Sequence, residues 1–347
     1  MNVLSLFDGI GCGRLALERA GIAVDNYLAS ETDEEAKAIC KANHPDVIHI
    51  GDVRNIEVTE TGLRYDGGEF TGKIDLIIGG NNFADGYDRA GFYLDSHDNG
   101  IVIENLETYL ELKAQGITFK GEAYLFWEFA RLVREIRPEY FLFENTHLSK
   151  PLEMKVTETL GVTPVSLNSA LFSAQNRERF YWTNLQVSEE VHGTRHYFSG
   201  ILDPYAEKTD VSGSQTIKKC FFRFIMKYGY VPACFNAYNV TEIKDKAPTL
   251  SRGSMVTSSC AVTLFVPCEK GFHEVSDGLL DQIFPTKLPN GRYNLRRLSI
   301  KEMERLQTLP DGYVDDNSDT SISRKGQLIG NAWTVNVVSY VLRSMVN

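Results

Sequence analysis

Short apolar runs that alternate with stretches of helical spacing constrain this chain more than any other feature. Val3-Leu4-Ser5-Leu6-Phe7 breaks at Asp8-Gly9-Ile10-Gly11-Cys12-Gly13, and Arg14 to Gly21 follows with apolar residues at helical intervals. That order reads as strand, glycine turn and helix with a glycine stop. A second apolar run, Val24 to Ala29, ends at Ser30-Glu31; a helix is expected over 34–42, and a third run, Val47 to Ile50, ends at Gly51-Asp52. The pattern repeats in a strand over 74–78, a helix over 125–137 stopped by Pro138, and a strand over 140–143. Strands joined through helices pair in parallel, so a doubly wound α/β sheet is expected, with its ligands at the carboxyl ends of the strands.

Two regions depart from this rhythm. Between Asp95 and Lys120 lies an extra piece in which Ile101 to Leu112 reads as an amphipathic acidic helix, expected to be an insertion, a lid or a partner surface. After Trp182-Thr183-Asn184 the alternation stops, and residues 188–290 have short β-like runs without a strong helical period. The expected organisation is one α/β domain from 1–187 and 291–347, with a smaller β-rich domain from 188–290. The helical pattern returns at Ser299-Ile300-Lys301-Glu302, whose Ser-x-x-Glu opening is a capping box.

A formal charge of −10 over 347 residues argues against a generally basic coat, yet a local basic face is all that phosphate binding requires. No run of eighteen apolar residues occurs and the first residues lack a basic leader, so a cytosolic or nucleoid-associated protein without membrane contact is expected. The six cysteines form no Cys-x-x-Cys pair, and no metal site is expected.

The glycine turn alone would serve NAD, FAD or S-adenosylmethionine. Acidic residues at the ends of the next two strands, Glu31 and Asp52, fit a ribose diol and an adenine amino group, which favours a nucleoside without a pyrophosphate. Ser5-Leu6-Phe7-Asp8-Gly9-Ile10-Gly11, Ala29-Ser30-Glu31 and Gly51-Asp52-Val53-Arg54 resemble the cofactor motifs of the DNA cytosine-C5 methyltransferases, closest to their animal de novo branch. Leu328-Ile329-Gly330-Asn331-Ala332-Trp333-Thr334-Val335 resembles the motif that closes their cofactor pocket. Phe143-Glu144-Asn145 is similar to their Glu-Asn-Val, and Gln175-Asn176-Arg177-Glu178-Arg179 to their Gln-x-Arg-x-Arg segment.

The resemblance implies a Rossmann-like S-adenosylmethionine domain with a smaller target-recognition domain, acting on double-stranded DNA. Phe7, Asp8, Gly9, Gly11, Glu31, Asp52, Val53, Asn331 and Trp333 would hold the cofactor. Glu144 would hydrogen-bond N3 and the 4-amino group of a flipped cytosine, with Arg177 and Arg179 gripping the base and its phosphate. Lys218, Lys219, Arg223 and Arg252, in segments of basic and aromatic residues, are the candidate phosphate contacts. The same branch implies side-by-side association with a second copy or a partner methyltransferase.

One element of the family pattern is missing. The strand ending at Gly79-Gly80 leads into Asn81-Asn82-Phe83-Ala84-Asp85, where the family reads Gly-Gly-Ser-Pro-Cys. Unmodified cytosine is a poor carbon nucleophile at C5, and a thiolate added at C6 is what activates it. Three readings follow: another thiol attacks, from Cys12, Cys234 or Cys260; the base already carries a nucleophile and Asp85 takes its proton; or the chain is a catalytically inactive DNA-binding regulator.

Overall fold

The computed structural model describes residues 1–80, 103–117, 119, 124–188, 191, 195–203, 215–229, 234–237, 239–250, 263–267, 293–314 and 320–346. The chain forms two compact units, Met1–Asn168 with Glu178–Val191 and Val335–Asn347, and Ser169–Arg177 with His192–Thr334.

The first unit is built on strands β1 (Asn2–Leu6), β2 (Asn26–Ser30), β3 (Ile48–Gly51), β7 (Leu76–Gly80), β8 (Tyr140–Asn145), β9 (Val165–Asn168) and β10 (Glu178–Thr183). They form one sheet in the order β3-β2-β1-β7-β8-β10-β9. A small antiparallel sheet of β4 (Glu57–Val58), β5 (Gly62–Tyr65) and β6 (Gly68–Thr71) stands apart from it. The pairs from β3 to β8 are parallel, as expected, whereas β10 runs antiparallel to both β8 and β9. Residues 169–177 join β9 to β10 without a crossover helix, and a strand returning to its neighbour that way must run antiparallel.

Helices α1 (Cys12–Ala20), α2 (Glu34–Asn43), α4 (Tyr124–Ile136) and α5 (Lys150–Leu160) belong to this unit, together with α3 (Leu106–Ala114). α3 starts later than the 101–112 spacing suggests, because the Asn105 side chain caps it by accepting from the Thr108 N–H at 2.9 Å. α4 buries Phe126, Trp127, Phe129 and Leu132; Phe143 of β8 packs on the Phe126 and Phe129 rings at 5.3 and 4.8 Å. A side chain at Gly79 would stand 3.1 Å from both the Leu6 carbonyl oxygen and the Phe129 ring, so only glycine lets β7 lie this close to β1 and α4. The C-terminal helix Val335–Arg343 packs on α1, with the Arg19 guanidinium donating to Asn336 Oδ1 at 2.9 Å.

The second unit contains a four-stranded sheet in the order β12-β11-β13-β14, from β11 (Cys234–Asn236), β12 (Thr241–Glu242), β13 (Thr263–Pro267) and β14 (Tyr293–Arg297). It also holds helix α6 (Gln215–Tyr228), in a stretch where the sequence shows no strong helical period, and helices α7 (Ile300–Leu306) and α8 (Ile322–Asn331). Phe221, Phe224 and Ile225 form a buried stripe on α6, and both phenylalanine rings lie 5.9 Å from Phe235 of β11. That stripe is short, and the basic residues between its aromatics hide it in a linear reading.

Candidate active site

The carboxyl ends of β1, β2, β3 and β8 gather the sequence-predicted residues of the first unit. After β1 the chain enters a turn with three residues in the left-handed region, Phe7 at φ 58°, Gly9 at φ 60° and Gly11 at φ 85°. For Phe7 this backbone is strained, a kind of strain that gathers at ligand sites. Asp8 is held from below: the Ser5 and Tyr27 hydroxyls each donate to its Oδ1 at 2.6 Å, and the Cys40 thiol donates to Oδ2 at 3.5 Å. Burial raises the Asp8 carboxyl above its ordinary range, against those hydrogen bonds.

Glu31, just past β2, accepts from the Gly9 N–H at 2.8 Å and from the Thr32 and Asp33 N–H groups at 2.7 and 2.9 Å. It therefore ties the first glycine turn to the second strand end, a role that spacing alone did not reveal. Asp52 caps the 3-10 turn Val53–Asn55, accepting from the Arg54 N–H at 2.9 Å and from the Arg54 Nε at 2.9 Å. Burial raises the Asp52 carboxyl, but the Arg54 hydrogen bonds outweigh it and hold the group below its ordinary value. The donor set at these strand ends fits a nucleoside: two carboxylates on adjacent strands, an aromatic ring at Phe7, and open space above the Gly9 Cα.

At the end of β8, Glu144 is 7 % exposed, and Arg179 Nε of β10 lies 3.1 Å from its Oε1. Antiparallel pairing sets this up, placing Tyr181 opposite Glu144 and Phe180 opposite Asn145. Asn145, missed as a site residue by sequence reasoning, is 1 % exposed; its Oδ1 accepts from the Thr146 N–H at 2.6 Å, while its Nδ2 is buried without a hydrogen-bond partner.

Arg177 precedes β10 and lies in the second unit, so it does not join Arg179 on one strand face. Its guanidinium donates to the Leu250 carbonyl at 2.7 Å and the Ala332 carbonyl at 3.2 Å, and it is 5 % exposed. Gln175 beside it, fully buried, accepts from the Leu250 N–H at 2.6 Å. The segment thus pairs with 246–250, the stretch associated above with target recognition. Asn331 is exposed and Trp333 half-buried, both in the second unit.

Lys219, Arg223 and Lys227 recur every four residues on the exposed face of α6, with Met226 also exposed, and the helix sequence contains no acid. Lys218 lies on the same helix. Lys227, not singled out from the sequence, completes a row that becomes visible once helical spacing is applied. Asp85, Arg252, Cys260 and the Asn81-Asn82-Phe83 stretch lie outside the described residues. Of the thiols weighed as substitutes, Cys12 and Cys234 are each 3 % exposed, and burial pushes the Cys234 thiol well above its ordinary value. A buried thiol with a raised pKa is a poor nucleophile. Among the described residues no helix is long and apolar enough to cross a membrane.

A mainly parallel sheet with glycine turn, strand-end acids and a Glu–Arg pair along one edge defines a Rossmann-like domain of the methyltransferase type. The family model for C-5 cytosine-specific DNA methylase matches residues 1–81 and 113–347, and the chain belongs to that family. It is similar to DNA (cytosine-5)-methyltransferase DRM2 of Oryza sativa subsp. japonica, with 40% identity over 94 residues, covering 24% of this chain and 15% of that protein. The type II methyltransferase M.HindV of Haemophilus influenzae is 24% identical over 356 residues, covering 100% of this chain and 97% of the relative. Among solved structures, the S. pombe Dnmt2 methyltransferase shares the fold with a TM-score of 0.58 at 17% identity, covering 99% of this chain and 97% of that one.

Proposed function

We propose that this chain carries out S-adenosylmethionine-dependent modification of a flipped, cytosine-type base in double-stranded DNA without a cysteine nucleophile, on a base that already carries an exocyclic hydroxyl or amine. The observation that carries this reading is the Glu144–Arg179 pair on the same sheet edge as the Phe7–Gly11 turn. Phe7, Asp8, Gly9, Gly11, Glu31, Asp52 and Val53 would hold the cofactor; when bound, it supplies an electrophilic methyl on sulfur. Glu144 and Arg179 would grip the ring at N3 and the 4-amino group, and Arg177 would order the segment that leads to Arg179. Transfer to an exocyclic oxygen or nitrogen would release that atom's proton, and Asp85 would be the base that takes it. The burial of Cys12 and Cys234 supports this reading over one in which either thiol replaces the missing one.

The second reading is a catalytically inactive DNA-binding regulator, favoured by the absence of cysteine from the loop after Gly80. Release of S-adenosylhomocysteine during incubation with DNA separates the two. DNA-dependent release supports the enzyme; DNA binding without release supports the regulator.

In either reading the α6 row faces phosphates. Neutralising it with Lys219→Gln, Arg223→Gln and Lys227→Gln is expected to lower the slope of log Kd against log salt by roughly two to three, since each phosphate contact contributes about 0.9. A titration series in which the slope is unchanged removes α6 from the interface.

A further inference from the structure

The family match leaves out residues 82–112, which includes all of α3 except its last two residues. This helix is nevertheless tied into the sheet edge that carries Asp52. Glu128 of α4 is fully buried, and its carboxylate accepts from the Tyr109 hydroxyl and the Lys113 ammonium, both of α3, and from Arg131 Nε at 2.8 Å. Arg131, 5 % exposed, also donates to the Ile56 carbonyl at 3.0 Å and the Val53 carbonyl at 3.4 Å. Lys113 Nζ donates to the Arg54 carbonyl at 3.2 Å. Three carbonyls of the 53–56 segment are therefore held by two cations that share one buried carboxylate.

The 3-10 turn is closed by the Asn55 N–H to Asp52 carbonyl bond at 3.0 Å, the Ile56 N–H to Val53 carbonyl bond at 3.3 Å and the Asp52 side-chain cap on the Arg54 N–H at 2.9 Å. The buried Val53 and Ile56 side chains and the Asn55 to Asp66 hydrogen bond at 2.8 Å anchor it, and Arg131 and Lys113 hold its carbonyls. Asp52 caps the turn and Val53 opens it, so moving the turn moves both groups that would face a nucleobase. We propose that Lys113, with Tyr109, is a positioning residue for the adenine end of the cofactor site, so that α3, most of which lies outside the family match, sets how this chain recognises the nucleobase. This rests on the cofactor reading above, in which Asp52 would accept from the adenine amino group and Val53, next to it in the turn, would also hold the cofactor.

The readout is base discrimination, which a general loss of stability does not alter. Adenine and hypoxanthine present opposite donor and acceptor patterns at N1 and position 6. The probes are S-adenosylhomocysteine and S-inosylhomocysteine, titrated calorimetrically into the full chain. Wild-type protein is expected to prefer the adenosyl ligand. Lys113→Met should weaken S-adenosylhomocysteine by about ten-fold, the scale of one charge-assisted hydrogen bond, and bring the ratio of the two affinities toward one. Lys113→Arg should restore most of both, and Tyr109→Phe should shift the ratio in the same direction by less. An unchanged ratio in folded Lys113→Met and Tyr109→Phe proteins overturns the proposal while leaving the cofactor reading intact. Wild-type protein that binds neither probe overturns the cofactor reading, and the proposal with it.

Discussion

Glu144→Gln is expected to lower the rate of S-adenosylhomocysteine release on DNA by roughly a hundred-fold, the scale of misplacing a reacting group. Glutamine keeps the shape of the side chain and one carbonyl oxygen, so a 4-amino group can still find an acceptor. It cannot accept from a protonated ring N3 as well, so the base is no longer gripped at two points with its exocyclic acceptor aimed for transfer. Glu144 lies 3.1 Å from Arg179 Nε and is almost fully buried, so no solvent carboxylate or nearby water replaces it cheaply. Cofactor affinity should be unchanged, because Glu31, Asp52 and the Phe7–Gly11 turn belong to other strand ends. Steady-state turnover and S-adenosylhomocysteine titration of the variant check both halves. Full turnover by the glutamine variant removes Glu144 from the chemistry.

Glu302→Ala carries the largest expected cost in stability. Glu302 is fully buried at the start of α7, where Arg296 pairs with it through two bonds of 2.7 and 2.8 Å. The same carboxylate accepts from the Ser299 N–H at 2.9 Å, closing a capping box with the Ser299 hydroxyl, and from the Asp203 N–H at 2.9 Å. Alanine leaves the Arg296 guanidinium, 7 % exposed, without its counter-charge, and strands two backbone donors. Breaking a buried pair from one side costs about 3–5 kcal/mol. For a unit of this size that lowers Tm by roughly 10 °C. Glu302→Gln, which keeps the side-chain volume and one acceptor oxygen and so can hold the Asp203 or the Ser299 N–H but not both, should lose less. Differential scanning calorimetry decides it, and equal Tm values for wild type and Glu302→Ala would contradict the assignment.

Much of the first unit was legible because its signals are local. Apolar runs of strand length ending at Gly11, Glu31, Asp52 and Gly80 mark the sheet edge, and Ser299-x-x-Glu302 marks the start of α7 from four residues alone. The antiparallel β10 was not legible, since strand direction depends on whether a connection crosses over, and 169–177 has no composition that says so. Arg177 and Arg179 look like neighbours on one face at a spacing of two, yet β10 begins only at Glu178, and the strand period does not reach back to Arg177. The α6 row hid behind its aromatics. The Glu128–Lys113–Arg131 cluster was invisible because its charges are far apart in sequence and each, read alone, looks like a solvated surface residue. Glu31 was read as a ligand-facing acid; its three backbone donors come from turns whose geometry no spacing rule supplies.

The most direct test of the central claim is mass spectrometry of nucleosides recovered after incubating the full chain with S-adenosylmethionine and two duplex DNAs, one plain and one carrying 5-hydroxymethylcytosine. The account predicts a nucleoside methylated on an exocyclic oxygen or nitrogen, and none methylated on a ring carbon. Methylation of plain cytosine at carbon would contradict it and require a nucleophile that neither Cys12 nor Cys234 supplies from its buried position. No product from either DNA, with both still bound, would leave the regulator as the function of this chain.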